Sequence, residues 1–248
     1  MTILLTRPKP DCNRLLERLR HNGHRVICSP VLDIQILEVD FNGLQDMQAL
    51  LFTSRNAVRA VARRFSHWHG PVFTVGDGTA KAARKAGFDQ VLSADGDAAD
   101  LARLVTARCS PRDGSLLYLA GETRGAVLEQ MLQDAGFSLL SRDVYRAKPA
   151  DALSHDAAQA FARGDIDLVL LYSPRSARVF RDLLRKELED RVLEKVDAAC
   201  LSPMLHRRQG RGGGAKLSLQ IPMNRRFWQR LKRLMAVGLM GETRMDAA

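Results

Sequence analysis

The chain has 248 residues, of which 46% are apolar and 27% charged, the balance of a globular protein that can bury one large core or two smaller ones. No apolar run reaches the roughly 18 residues that cross a bilayer, which argues against a membrane span. The formal charge of +10 is local: residues 205–248 carry ten Lys/Arg against two Asp/Glu, whereas residues 1–204 carry 28 against 26, so the body is nearly neutral and lacks the broad basic field of a nucleic-acid binder.

The opening MTILLTRPKPD has no basic region ahead of its apolar residues. It reads as a first strand and turn, not as a leader, and points to a cytoplasmic protein. ILLT (3–6) leads into a helix near Asp11 to His21, with Leu15, Leu16 and Leu19 on one face and Gly23 as its stop. RVICSPVLDIQIL is one long extended segment. ALLFTS precedes a helix from about Asn56 to Phe65, VFTVGDG precedes TAKAARKAG, QVLSA precedes DAADLARLVTARC, and SLLYLAGE precedes RGAVLEQMLQDAG. SLLSRDVYRA is extended again. A helix near 154–163, DLVLLYS, a helix near 176–188 and VDAACLSP follow, and KLSLQI with a helix from about 223 to 235 come last.

Strands alternating with helices predict an α/β fold: parallel sheets covered by helices on both faces. Ligands of such sheets bind beyond the carboxyl ends of the strands, so each strand-to-helix junction is a candidate position. The junctions are Thr6-Arg7-Pro8, Thr53-Ser54-Arg55, Gly76-Asp77-Gly78-Thr79, Gly121-Glu122-Thr123-Arg124, Tyr172-Ser173-Pro174 and Leu201-Ser202-Pro203. Their Ser, Thr and Gly residues suit helix caps, and exposed helix N-termini suit phosphate or carboxylate. Ordinary capping is the better explanation of any one of them, and the six together shift the balance toward a site. LLFTSRNA (50–57) and LLYSPRSA (170–177) echo one another in two registers, one pairing the leucines and one pairing Ser54 with Ser173.

The four cysteines, Cys12, Cys28, Cys109 and Cys200, form no CxxC pair, so reduced thiols are expected. HWH (67–69) offers two histidines without a third ligand at suitable spacing, and no metal site is expected. There is no GxxxxGK[ST] loop, GxSxG elbow or HExxH pair, and Gly76 and Gly78 lack the third glycine of a dinucleotide fingerprint. The residues alone suggest either a binding protein or an enzyme whose chemistry is mainly positioning.

The ordered set TILLTRP, LLFTSRNAV, TVGDGTAKAARKAGF, LYLAGETRGAVLEQMLQDAGFSLLSRDVYRA and LLYSPRSARVF resembles the uroporphyrinogen-III synthase family over about residues 1–203. The resemblance implies two parallel-sheet, three-layer α/β domains joined by a two-stranded linker. One domain is discontinuous, residues 1–35 with 150–248, and the other is residues 36–149. The crossing segments are Pro30 to Glu38 and Asp143 to Pro149. It further implies a cofactor-free, monomeric enzyme that closes hydroxymethylbilane into a macrocycle with ring D inverted. Hydroxide leaves as water, a spiro intermediate forms, and the ring re-forms turned around. Contact with the upstream enzyme that makes hydroxymethylbilane is also implied. Because the open chain cyclises unaided to the unflipped isomer, such catalysis is largely orientation, worth roughly 7–11 kcal/mol in favourable cases.

On this resemblance and on junction position, the substrate carboxylates fall to Arg7, Thr53, Ser54, Arg55, Gly76, Thr79, Gly121, Arg124, Ser173, Pro174, Ser176 and Ser202. Tyr145, in DVYRA, matches the family tyrosine proposed to assist hydroxide departure, since a phenol stays protonated at neutral pH and can donate. Packing of the linker is its other reading. After CLSP the family pattern calls for an alanine-rich helix and a Gly-aromatic step. MLHRRQGRGGGAK stands there instead, with three arginines and three consecutive glycines that make a poor helix. Beyond it, PMNRRFWQRLKRLM starts on Pro222 and places Phe227, Leu231 and Leu234 on one face, as a final surface helix would. The competing functional class is a non-enzymatic two-domain protein that closes on a small polyanion.

Overall fold

The computed structural model describes residues 1–42, 44, 46–187 and 197–200. In chain order the elements are β1 (Thr2–Leu5), α1 (Lys9–His21), β2 (Arg25–Cys28), β3 (Leu32–Ile36), β4 (Met47–Phe52), α2 (Arg55–Val61), β5 (Val72–Thr74), α3 (Asp77–Lys85), β6 (Val91–Ser93), α4 (Ala98–Thr106), β7 (Ser115–Gly121), α5 (Val127–Asp134), β8 (Leu139–Pro149), α6 (His155–Ala162), β9 (Leu168–Leu171), α7 (Pro174–Glu187) and β10 (Asp197–Cys200). The chain divides into two compact units, Met1–Asp33 with Lys148–Ala248, and Ile34–Ala147.

In the first unit a four-stranded sheet runs in the order β10-β9-β1-β2, and every pair is parallel. All residues of β1 and β9 are buried, as continuous apolar runs covered on both faces must be. Cys12 and Leu19 of α1 pack with Ile3, Leu5, Leu168 and Leu170 on one face. Ala157, Ala160 and Phe161 of α6 and Phe180, Leu183 and Leu184 of α7 pack with Leu4, Val169 and Leu171 on the other. α1 stops where expected. Gly23 adopts φ +76°, a left-handed conformation that suits glycine, and the His24 N–H reaches back to the Leu19 carbonyl at 3.2 Å.

In the second unit the sheet order is β3-β8-β7-β4-β5-β6, with β8, β7, β4, β5 and β6 paired in parallel. α4 and α5 cover one face through Leu101, Val105, Leu128 and Leu132, and α2 and α3 cover the other through Ala57, Val58, Val61 and Ala83. The chain thus has the mixed α/β, parallel-sheet class that the alternation predicts.

Several details differ from the sequence reading. RVICSPVLDIQIL is broken into β2 and β3 rather than continuous. Pro30 has no N–H to give a ladder, and the Ser29 and Val31 N–H groups turn to the Leu5 and Thr6 carbonyls at 2.9 and 3.2 Å. α2 ends at Val61, short of Phe65, and α7 opens at Pro174, two residues early. The cysteine expectation is corrected: Cys12 and Cys28 form a disulfide across a sequence separation of 16, with Cα atoms 6.3 Å apart. The β1–α1–β2 turn carries the first turns of α1 back beside the end of β2, a proximity that sequence spacing alone does not register. Cys109 is a free thiol, and burial raises its pKa. Among the described residues no helix is long and apolar enough to cross a membrane. The expected strand KLSLQI, the helix from 223 to 235 and Ser202 lie outside the described residues.

Candidate functional site

Among the described residues, the densest polar constellation on the junctions belongs to the second unit, at the carboxyl ends of β4 and β7 and beside the middle of β8. Thr53 follows the last residue of β4, and its hydroxyl lies 2.9 Å from the Tyr118 hydroxyl, so a bond joins β4 to β7. Tyr118 is only 2% exposed, and burial, opposed in part by the Thr53 bond, raises its pKa. The Arg124 guanidinium sits 5.6 Å from the centre of the Tyr118 ring. It donates to Glu129 of α5 at 2.9 Å, to the Gly121 carbonyl at 3.2 Å, and to Asp143 of β8. The Ser141 hydroxyl completes the set by donating to Glu129 at 2.8 Å.

Burial alone would lower the pKa of Arg124, but Glu129 and Asp143 outweigh it and the net shift is upward. Burial likewise pushes the Glu129 carboxyl up, and Ser141 and Arg124 pull it further down, so the net is a lowered value. The charge of Arg124 is therefore spent on two carboxylates of the same unit. Such a group fixes structure more readily than it recruits an anion.

Tyr145 lies on β8 immediately beyond a register shift. Ala120 pairs with Asp143, yet Gly121 pairs with Tyr145, leaving Val144 as the extra residue. A bulge of this kind re-aims the side chains that follow it. The Tyr145 carbonyl accepts from the Glu122 N–H at 3.0 Å, and Glu122 makes a two-pronged ion pair with Arg146 at 2.6 and 2.7 Å.

The other candidates cap helices or occupy other junctions. Ser54 is the N-cap of α2, its hydroxyl accepting from the Asn56 N–H at 3.1 Å, and Arg55 is the first helical residue. Gly76 is the N-cap of α3 in extended conformation, and open space surrounds the position a side chain would take. Thr79, one turn in, is buried. In the first unit Ser173 and Ser176 cap reciprocally: each backbone N–H donates to the other's hydroxyl at 3.0 Å. Pro174 opens the helix between them. The Arg7 guanidinium lies 3.7 Å over the Tyr172 ring, joining the β1 and β9 junctions. Thr53, Gly121, Arg124 and Tyr145 are thus gathered at one rim, and Arg7, Ser173 and Ser176 mark the rim of the other unit.

A surface pocket of about 340 Å³ in the first unit, lined by Arg20, Arg25, Asp156, Gln159 and Arg163, lies at the amino end of β2, away from the junctions. Arg25 and Arg163 there both face Asp165, at 3.7 and 3.0 Å, which neutralises part of its charge. Sequence reading named Glu122 only as part of its junction and Asp143 only as the start of a crossing segment, and it missed Tyr118, Glu129 and Arg146. The available signals were a lone tyrosine inside the buried run SLLYLAG and the charges on either side of Tyr145 in RDVYRA.

Parallel sheets covered by helices on both faces, with polar side chains collected at strand ends, define the α/β class of this protein. The comparisons with known proteins narrow that class. The family model described as uroporphyrinogen-III synthase HemD matches residues 13–210. The chain belongs to the uroporphyrinogen-III synthase family, enzymes of tetrapyrrole biosynthesis that act as cyclising lyases. The fold is similar to that of the uroporphyrinogen-III synthetase of Helicobacter pylori 26695, with TM-score 0.57 and 15% identity over 94% of this chain and 99% of that one. It is also similar to a mutant uroporphyrinogen III synthase of the extremely thermophilic bacterium Thermus thermophilus, with TM-score 0.54 and 16% identity over 95% of this chain and 99% of that one.

Proposed function

We propose that this chain cyclises hydroxymethylbilane to uroporphyrinogen III, inverting ring D with loss of one water. The observation that carries the reading is the family match over residues 13–210. In this reaction the C–O bond of the terminal hydroxymethyl group breaks and the departing oxygen takes up a proton. The resulting cation is attacked by the ring D carbon that already carries a chain, giving the spiro centre. Cleavage and re-closure then turn the ring, and a proton is lost. In our reading the phenol of Tyr145 donates the hydrogen bond that eases hydroxide departure. The substrate carboxylates are held by hydroxyl and backbone donors at the junctions of Thr53, Ser54, Arg55, Gly76 and Thr79, and of Arg7, Ser173, Pro174 and Ser176. Ser202, Gly121 and Arg124 complete the set that the resemblance implies, and the internal pairing of Arg124 favours a supporting part for it.

On the resemblance, the domains are residues 1–35 with 150–248 and residues 36–149. The enzyme works as a cytoplasmic monomer on substrate delivered by the enzyme that makes it, and in that compartment the Cys12–Cys28 bond is subject to reduction. The test is to generate hydroxymethylbilane in situ and separate isomers III and I by chromatography. Isomer III in excess is expected. Isomer I alone, beside an active upstream enzyme, sinks the synthase reading and leaves a polyanion-binding protein.

A further inference from the structure

We propose that Gly121 is a positioning residue for the reaction: it is an empty seat for the Tyr145 ring, and the Glu122–Arg146 and Arg124–Asp143 ion pairs hold that seat against β8. The inference rests on the reading of Tyr145 as the phenol that assists hydroxide departure.

The space that a side chain at Gly121 would fill is taken. A Cβ there would stand 2.6 Å from Cζ, 2.8 Å from the hydroxyl oxygen and 2.9 Å from Cε2 of Tyr145, nearer than real Cβ atoms approach anything. The outer end of the ring therefore rests against the end of β7 because that position has no side chain. The register shift at Val144 supplies the second part, since it brings Tyr145 rather than Val144 opposite Gly121. The stitching supplies the third. Asp143 and Arg146 bracket Tyr145 on β8, and their partners Arg124 and Glu122 lie just after Gly121. The Glu122 N–H to Tyr145 carbonyl bond, 3.0 Å, closes the backbone between the two pairs.

A hydrogen-bond donor to a departing hydroxyl must stand within roughly 2.6–3.2 Å of it. Side-chain displacements of about 1 Å can cost on the order of a hundredfold in rate. A phenol on a long strand has rotamer freedom to lose, and the seat and its two pairs remove it.

Gly121→Ala tests the proposal with the smallest added group, because the three atoms nearest its methyl all belong to the outer end of the Tyr145 side chain. The expected result is a kcat lowered about tenfold or more, with KM within about twofold of wild type and a larger share of isomer I. Tyr145→Ala shows the same pattern, and the combined variant is no slower than Tyr145→Ala alone, since the seat has no occupant left to place. A Gly121→Ala enzyme at wild-type kcat, or losses that multiply in the combined variant, overturns the proposal. Should Gly121→Ala lose its circular-dichroism signature, Glu122→Gln carries the same test at a half-exposed side chain. A kcat loss that vanishes in the Tyr145→Ala background supports the proposal, and one that persists there overturns it. Failure of the synthase reading looks different, because then the wild-type chain makes no isomer III. Isomer III from wild type together with full turnover by Tyr145→Ala leaves the synthase standing and overturns this inference alone.

Discussion

The two echoing junctions, LLFTS and LLYSP, end alike and are used differently. At the β9–α7 junction the hydroxyls of Ser173 and Ser176 serve their own helix, closing a reciprocal cap within four residues. At the β4–α2 junction Ser54 also caps its own helix, by accepting from the Asn56 N–H, but Thr53 before it reaches across to Tyr118 on β7. Structure also chooses between the two registers of the echo. Ser54 and Ser173 are both N-caps, so the equivalence pairs the serines and not the leucines. The lesson is that capping hydroxyls are local and interchangeable, whereas the residue just before the cap is where each unit acquires its own wiring. Tyr172 occupies that place in the first unit and carries the Arg7 guanidinium on its face.

The contrast extends to what holds each rim. The first unit is tied by a covalent link, Cys12–Cys28, and the second by a network of charges centred on Arg124. Reduction of the disulfide is expected to have the largest effect, about 3 kcal/mol of stability for a closed loop of this length. Urea unfolding with and without reductant measures it, and hydrogen exchange places the loss in β1, α1 and β2 while the second unit keeps its protection. Equal loss in both units would break the contrast. Arg124→Ala comes next, at about 1–2 kcal/mol, because it leaves two partly exposed carboxylates, Glu129 and Asp143, without their shared counter-charge. Arg7→Ala, which removes a stacked cation, is expected to cost about 0.5–1 kcal/mol in the same urea experiment.

Effects of similar size sharpen the comparison of the two caps. Ser54→Ala and Ser173→Ala should each lower stability by about 1 kcal/mol, as lost N-caps do. A Ser173→Ala variant of unchanged stability but raised KM would mean that this hydroxyl serves substrate, not helix. The smallest effect expected is on acid sensitivity. The Glu129 carboxyl is held below its ordinary 4.5, since Ser141 and Arg124 outweigh the upward push of burial. Its contribution is complete above that value and is lost as pH falls through the lowered one. Glu129→Gln should therefore show a shallower fall in Tm than wild type as pH drops below the ordinary glutamate value.

The carboxyl-end junctions were legible because strand-then-cap patterns are local. Ser54 and Ser173 could be placed at helix starts from their neighbours alone. Tyr145 was singled out only through resemblance, because nothing within DVYRA distinguishes an active phenol from a packed one. Arg124 was readable as a charge at a junction but not as a charge already taken. Its partners lie 5 and 19 residues along the chain, and no short-range pattern ties them to it. The disulfide was missed for a related reason, since the two thiols come together only when α1 folds back between β1 and β2.

By itself the sequence determined the α/β class, the parallel character of the sheets and the end of α1 at Gly23, because periodicity, apolar runs and left-handed glycines act over a few residues. It also supplied the family, through an ordered series of junctions. Tertiary structure alone decided what those junctions do: which hydroxyl caps and which crosses, that Cys12 meets Cys28, and that Tyr145 lies in the space Gly121 leaves. Those outcomes depend on which strands become neighbours and on a one-residue slip between β7 and β8. Both are set by the packing of the whole sheet and not by any segment of it.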